Sequence, residues 1–202
     1  MDPSASQPET PPASSFLPRA FSAFRYRDFR IMWLGSFTST TGTLMQQVAL
    51  SWMILQLTGL SFYLGLTSFL GQLPLVLFSV VGGAFADRLD RRKLLLFSQA
   101  VQMTTALILT GLIFFDRIEI WHLLVLVFVT GLGQAFGGPA AQALIPGLVR
   151  RHDVPNAIAM NSIQFNLARV AGPMLAAVVM AAFGAVYCFA LNGLSFLAVI
   201  VS

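Results

Sequence analysis

Apolar residues run along this chain in long blocks, broken at intervals by short charged or turn-forming stretches. The blocks cover about residues 31–57, 62–86, 94–115, 122–149, 156–183 and 185–202, the last still apolar at Ser202. A helix crosses the hydrocarbon core of a bilayer with roughly 17 to 25 mostly apolar residues, so the pattern predicts an all-α membrane protein with six transmembrane helices. The breaks carry the charge. Between the second and third blocks stand six charged residues, Asp87, Arg88, Asp90, Arg91, Arg92 and Lys93. A charge at the bilayer centre costs several kcal/mol, about 2.5 to 3.5 on the most lenient scale, so this cluster marks a membrane boundary.

Arg150, Arg151, His152 and Asp153 mark a second basic boundary, and Arg19, Arg25, Arg27 and Arg30 precede the first block. Basic loops stay in the cytoplasm, which puts these three sets inside and the weakly charged Asp116–Glu119 turn outside. Residues 1–18, rich in Pro and Ser, read as a disordered cytoplasmic tail, and residues 19–30, alternating aromatic and basic, as an amphipathic lead-in at the headgroups. Trp121 suits an interfacial anchor.

Composition narrows the function classes. The 202 residues are 56% hydrophobic and only 10% charged, and the mean hydropathy is +0.77. Such a chain needs lipid as its solvent. Its isoelectric point near 10.0 is a topology signal, because the basic residues fill short loops, and nucleic-acid binding is not implied. The single cysteine, Cys188, lies in an apolar block, so no disulfide framework or metal-ligand spacing exists. His122 and His152 stand at membrane boundaries, and no nucleophile, phosphate-loop or cofactor pattern appears; an enzyme is not expected.

Polar residues inside the blocks are therefore the candidates for function. Gln46 and Gln47 fall near mid-membrane in the first block, and Arg169 near mid-membrane in the fifth. Asn161 and Gln164 are three apart, as are Asn166 and Arg169, so each pair shares a side of the helix. A guanidinium at that depth needs a partner or a wet cavity. Two readings stay open for Arg169: a cavity residue that meets substrate or a proton site, or a structural arginine bonded to carbonyls or a distant carboxylate. Pro74 and Pro173 each sit midway along the second helix of a triplet, a faint trace of an internal repeat.

Gly83, Asp87, Arg88, Arg91, Arg92 and Lys93 resemble the signature that the major facilitator superfamily carries between its second and third helices, with Asp90 in a tight turn where the family has its second glycine. Arg169-Val170-Ala171-Gly172-Pro173 resembles the fifth-helix signature of that superfamily's exporters. Residues 24–35, Ala49-Leu50-Ser51-Trp52, residues 55–59 and residues 155–162 are similar to a bacterial branch that includes enterobactin exporters and macrolide-efflux-like proteins. The fourth-helix arginine of exporters is absent, since Val125–Val129 is apolar or aromatic.

The resemblance implies the first half of a twelve-helix fold: six helices as two inverted three-helix repeats, with a second six-helix half missing from this chain. It implies a secondary exporter in the bacterial cytoplasmic membrane, without cofactor, moving a small amphiphilic molecule outward in exchange for protons. Gly83, Asp87, Arg88, Arg91 and Arg92 would form the cytoplasmic gate. With helices one, two, four and five around a central cavity, Gln46, Gln47, Gln134, Gln142, Asn166 and Arg169 become lining candidates, and Gln99 and Gln102 on helix three become packing contacts. Gly172 and Pro173 carry the exporter motif. A half-length protein without transport activity and an importer are the rival readings.

Overall fold

The computed structural model describes the backbone of residues 21–88 and 90–200, and the side chains of these except residues 79–88. The proposed tail at 1–18 lies outside the described residues, as do Arg19, Leu89 and the last two positions. Every regular element is helical among the described residues. The six long helices are α1 (Arg27–Thr58), α2 (Ser61–Arg88), α3 (Arg91–Phe114), α4 (Ile120–Leu148), α5 (Val154–Phe183) and α6 (Ala185–Ile200). A 3-10 turn, Ser22–Arg25, precedes α1, and another, Arg151–Asp153, precedes α5.

Four helices, α2 to α5, are long and apolar enough to cross a membrane. Helix α1 has 32 residues, about 48 Å at helical rise, but its Ser, Thr and Gln residues dilute its hydropathy. Helix α6 is apolar over 16 described residues. Between 11% and 28% of each apolar window in α2 to α5 is buried within the bundle. The remaining apolar surface, with Phe69, Val76, Phe97, Leu107 and Val178 facing outward, suits lipid.

Local chemistry places the ends. Gly59 closes α1 in the left-handed region at φ 65°, its N–H donating to the Leu55 carbonyl at 2.9 Å, a conformation that suits glycine. Asp90, at the position of the family's second glycine, is not left-handed. Its backbone is extended at φ −61° and ψ 111°, and its carboxylate caps α3 by accepting the N–H groups of Arg92 and Lys93 at 3.0 and 3.5 Å. An acidic N-cap meets the positive end of the helix dipole. At the opposite end Glu119 and His122 form a reciprocal cap on α4, and Trp121 Nε1 donates to Glu119 Oε2 at 2.6 Å.

Helix α4 packs along α2 and α3, helix α1 packs along α5 and α6, and α3 against α6 joins the two groups. Small residues set these crossings, because lipid supplies no hydrophobic drive between helices and close packing must hold them. At the α2–α4 crossing a Cβ added to Gly131 would collide with the Gly71 carbonyl oxygen and meet Pro74 Cγ at 3.2 Å. At the α1–α5 crossing, a Cβ on Gly172 would stand 2.6 Å from Leu44 Cβ and 3.1 Å from the Thr41 carbonyl oxygen. Gly42 lies under Ser195 of α6, and Gly137 under Ser98 of α3. Met45, Ala49, Ile54, Leu109, Leu123, Cys188 and Phe189 fill the core between α1, α3, α4 and α6.

Gly131→Ala should therefore push α2 from α4. Backbone stands on both sides and cannot give, so the expected loss is about 1 to 3 kcal/mol, read as a lower melting temperature of purified protein in detergent. Gly138→Ala, with open space around its Cβ, should leave the melt unchanged or raise it.

Candidate functional site

A groove of about 750 Å³ runs through the middle of the bundle, within the range of small-molecule sites. Its polar wall comes from α1 (Ser36, Ser39, Thr40, Thr43, Gln47), α3 (Gln99, Gln102), α4 (Gln134, Gln142) and α5 (Asn161, Ser162, Gln164, Asn166). Met32, Leu44, Leu75, Phe165 and Phe196 add apolar surface. None of its lining side chains is charged among the described residues. Such a wall meets a ligand through neutral hydrogen bonds and apolar contact. A smaller hollow of about 420 Å³ at the α3–α4 turn is formed by that turn's own residues, Asp116 to Glu119 with Leu112 and His122.

The structure brings Gln47, Gln134, Gln142 and Asn166 to the groove. Asn166 Nδ2 donates to the Ser162 carbonyl of its own helix at 2.9 Å. Gln46 turns the other way: its Oε1 accepts from Asn192 Nδ2 on α6 at 2.7 Å. Neighbouring positions on a helix point about 100° apart, and here that turn takes Gln46 to α6 and Gln47 to the groove. Arg169 is exposed and stands off the groove wall, its guanidinium carbon 5.7 Å from the centroid of the Phe165 ring. Gly172 and Pro173 lie in α5 and are not lining residues: Gly172 is buried at the crossing with α1, behind Leu44 of the groove wall, and Pro173 is exposed.

Helix α3 enters the site that fold analogy kept it out of. Gln99 Oε1 accepts from Ser39 Oγ at 3.5 Å, and Gln102 Oε1 accepts from Gln134 Nε2 at 3.4 Å. Gln102 also donates to Ser98 Oγ at 3.1 Å, whose hydroxyl donates to the Gly133 carbonyl at 2.7 Å. These glutamines are packing contacts and groove wall together. Asn192 and Gln164 were not singled out as lining or bridging candidates from sequence. Asn192, an amide within the apolar sixth block, carried a visible signal.

At the basic end, Arg91 donates from its guanidinium to the Ala143 carbonyl near the end of α4 at 3.1 Å, a favourable place for a cation. Arg92 and Lys93 are exposed. Gly83, Asp87 and Arg88 lie in the last turns of α2, with side chains outside the described residues. The lead-in does not simply lie at the surface. Asp153 is buried and accepts Ser22 Oγ at 2.6 Å, Tyr26 OH at 2.7 Å and His152 Nε2 at 3.1 Å, while Asn156 Oδ1 accepts the Ala23 N–H at 3.0 Å. Phe24 packs edge-on against Phe29 and Trp33, and Trp33 Nε1 donates to the Met160 carbonyl at 2.9 Å. The start of α1 is thus clamped to the start of α5.

The hydrogen bonds from Ser22 and then Tyr26 hold the Asp153 carboxyl below the usual carboxylate range, with burial opposing them and His152 and Arg25 adding to the lowering. The same bond to Asp153, with burial, raises the Tyr26 phenol.

The sequence profile of a transmembrane secretion effector family matches residues 18–202. Macrolide efflux protein A of Streptococcus pyogenes is 26% identical over 149 residues, 74% of this chain and 37% of its own length. The staphyloferrin A transporter of Staphylococcus aureus is 30% identical over 151 residues, 74% and 38% of the two chains. The multidrug efflux pump Tap of Mycolicibacterium fortuitum is 25% identical over 154 residues, again 74% and 38%. The chain spans under two fifths of the length of these relatives.

A depressed carboxyl stabilises the clamp above its unfolded pKa, near 3.9, and that contribution is lost as pH falls below about 4 toward the folded value. Hydrogen exchange of residues 21–26, corrected for intrinsic rates, should accelerate in that window. Asp153→Ala should speed it by at least roughly tenfold at neutral pH, through loss of two hydroxyl hydrogen bonds to a charge, and should abolish the acid dependence.

Proposed function

Because the chain belongs to the transmembrane secretion effector family of the major facilitator superfamily, whose members are membrane transporters and not enzymes, we propose that it forms one half of a secondary exporter. In this reading all six helices cross the bacterial cytoplasmic membrane, with the basic end in the cytoplasm, and a second six-helix half covers the open side of the groove. The cargo is a small amphiphilic molecule, drug-like or siderophore-like, carried outward by alternating access in exchange for protons. The groove itself carries the proposal: a mid-bundle hollow with a polar, uncharged wall and apolar patches fits an amphiphile. The efflux and transporter names of the relatives agree.

The packing supports two related three-helix units. Exchanging α1, α2 and α3 for α4, α5 and α6 leaves the pattern of neighbours unchanged: α1 on α5 and α6 becomes α4 on α2 and α3. The serine-over-glycine contact repeats as well, Ser195 on Gly42 becoming Ser98 on Gly137. We read these as inverted repeats, the arrangement that lets one bundle rock against another about a central site. Asp87 and Arg88, with Arg91 pinned to α4, would brace the cytoplasmic face against the second half, and Arg169 would present its charge to a carboxylate there or to cargo.

The test is efflux from vesicles holding the full-length product of this reading frame, with an imposed pH gradient. Outward movement of a drug-like probe that collapses with the gradient is expected; movement indifferent to it would remove proton coupling, and inward movement alone would make the protein an importer. At matched insertion Asp87→Asn should lower the rate. Arg169→Gln should lower it roughly ten- to a hundredfold, the loss expected for a hydrogen bond to a charged group. Wild-type rates for both variants would take them out of the transport cycle.

A further inference from the structure

Several amides of the groove have partners within the bundle: Gln102 with Gln134 and Ser98, Gln99 with Ser39, and Asn166 with its own helix. Gln164 is different. It lines the groove on α5, is only 3% exposed, and its amide nitrogen is buried with no hydrogen-bond partner among the described residues. A buried donor without an acceptor is unfavourable, and such a group calls for a partner from outside the bundle, a water, an ion or a ligand. The last side-chain torsion of glutamine is soft and roughly two-fold, and Gln164 is a groove-lining residue, so a rotation of its terminal amide toward the groove would offer the N–H pair to a guest. Asn161 and Ser162 stand beside it on the same stretch of wall, and Phe165 supplies an apolar flank.

We propose that Gln164 is the hydrogen-bond donor of a ligand subsite on the α5 wall, which takes a carbonyl or ether oxygen of an uncharged, oxygen-rich amphiphile. This rests on the groove being the transport site and names the chemistry it selects. An acceptor oxygen fits because the free end of the side chain is a donor pair. An uncharged ligand face fits because no ionised lining group is present among the described residues to neutralise a charge, and a bare charge in that setting would be poorly solvated.

The experiment measures equilibrium binding to the full-length protein in nanodiscs, alongside vesicle efflux. Its probes are two uncharged oxygen-rich molecules, chloramphenicol and digoxin, and one cation without acceptors, tetraphenylphosphonium. Gln164→Met keeps length and volume and removes the donor. Expected are an unchanged or higher melting temperature, since a buried unpaired group is gone, and a roughly tenfold weaker Kd for whichever neutral probe binds, with tetraphenylphosphonium unaffected. Neutral-probe binding without efflux would defeat the transport reading and leave the subsite to be judged on the variant's Kd. Wild type that binds neither neutral probe, a variant that binds them equally well, or a variant that melts lower or fails to fold would each overturn the subsite, the last by making Gln164 a packing residue.

Discussion

The bundle depends on helices coming close enough for backbone to touch backbone in a solvent that offers no hydrophobic drive to hold them together. In hydrocarbon, association rests on van der Waals contact and on the few hydrogen bonds that polar side chains make across helices. Gly131 against Gly71 and Gly35 against Ala198 are the glycine crossings where backbone comes closest to backbone. The serine and amide bridges, Ser98 to Gly133 and Asn192 to Gln46, sit beside further glycine contacts. Small residues and polar bridges are therefore parts of one device: the glycine permits the approach, and the bridge uses it.

The groove follows from which helices touch. Helix α4 packs against α2 and α3, helix α1 against α5 and α6, and α3 against α6 joins the two groups. The space between the two groups is left to long, neutral polar side chains from α1, α3, α4 and α5. Amides suit this place because each can bond within the wall and still offer a donor or acceptor to a guest, without the penalty an ionised group would bring. Apart from Arg169 in mid-α5, the charges of the described residues stand at the helix ends, where several cap and clamp: Asp90 on α3, Arg91 on α4, and Asp153 on the approach to α1.

Asp153 shows how a loop residue acquires a structural role by context. In sequence it belongs to a basic connection. In the fold, Ser22 and Tyr26, 131 and 127 residues away, supply two hydroxyl donors to its carboxylate, and the lead-in becomes a clamp between the starts of α1 and α5. Sequence order cannot reveal such a partnership, because both donors are ordinary residues until the chain brings them to one carboxylate.

That the chain is helical and lives in a membrane was legible from the sequence alone, since lipid excludes any segment that does not satisfy its own backbone and expels charge to the boundaries. The family was legible too, because the Gly83 to Lys93 stretch and Gly172-Pro173 are local patterns. Which polar residues meet at the centre was not. Gln46 and Gln47 are adjacent and chemically identical, yet one bonds α6 and the other lines the groove. Arg169, the most conspicuous residue in any apolar block, stands off the wall, and the inconspicuous Gln164 sits in it with an unpaired amide. Depth in the membrane follows from counting residues at a fixed rise per residue. The direction a side chain faces depends on the rotation of each helix about its own axis, and that is set by the glycine crossings of distant segments, which only the tertiary structure decides.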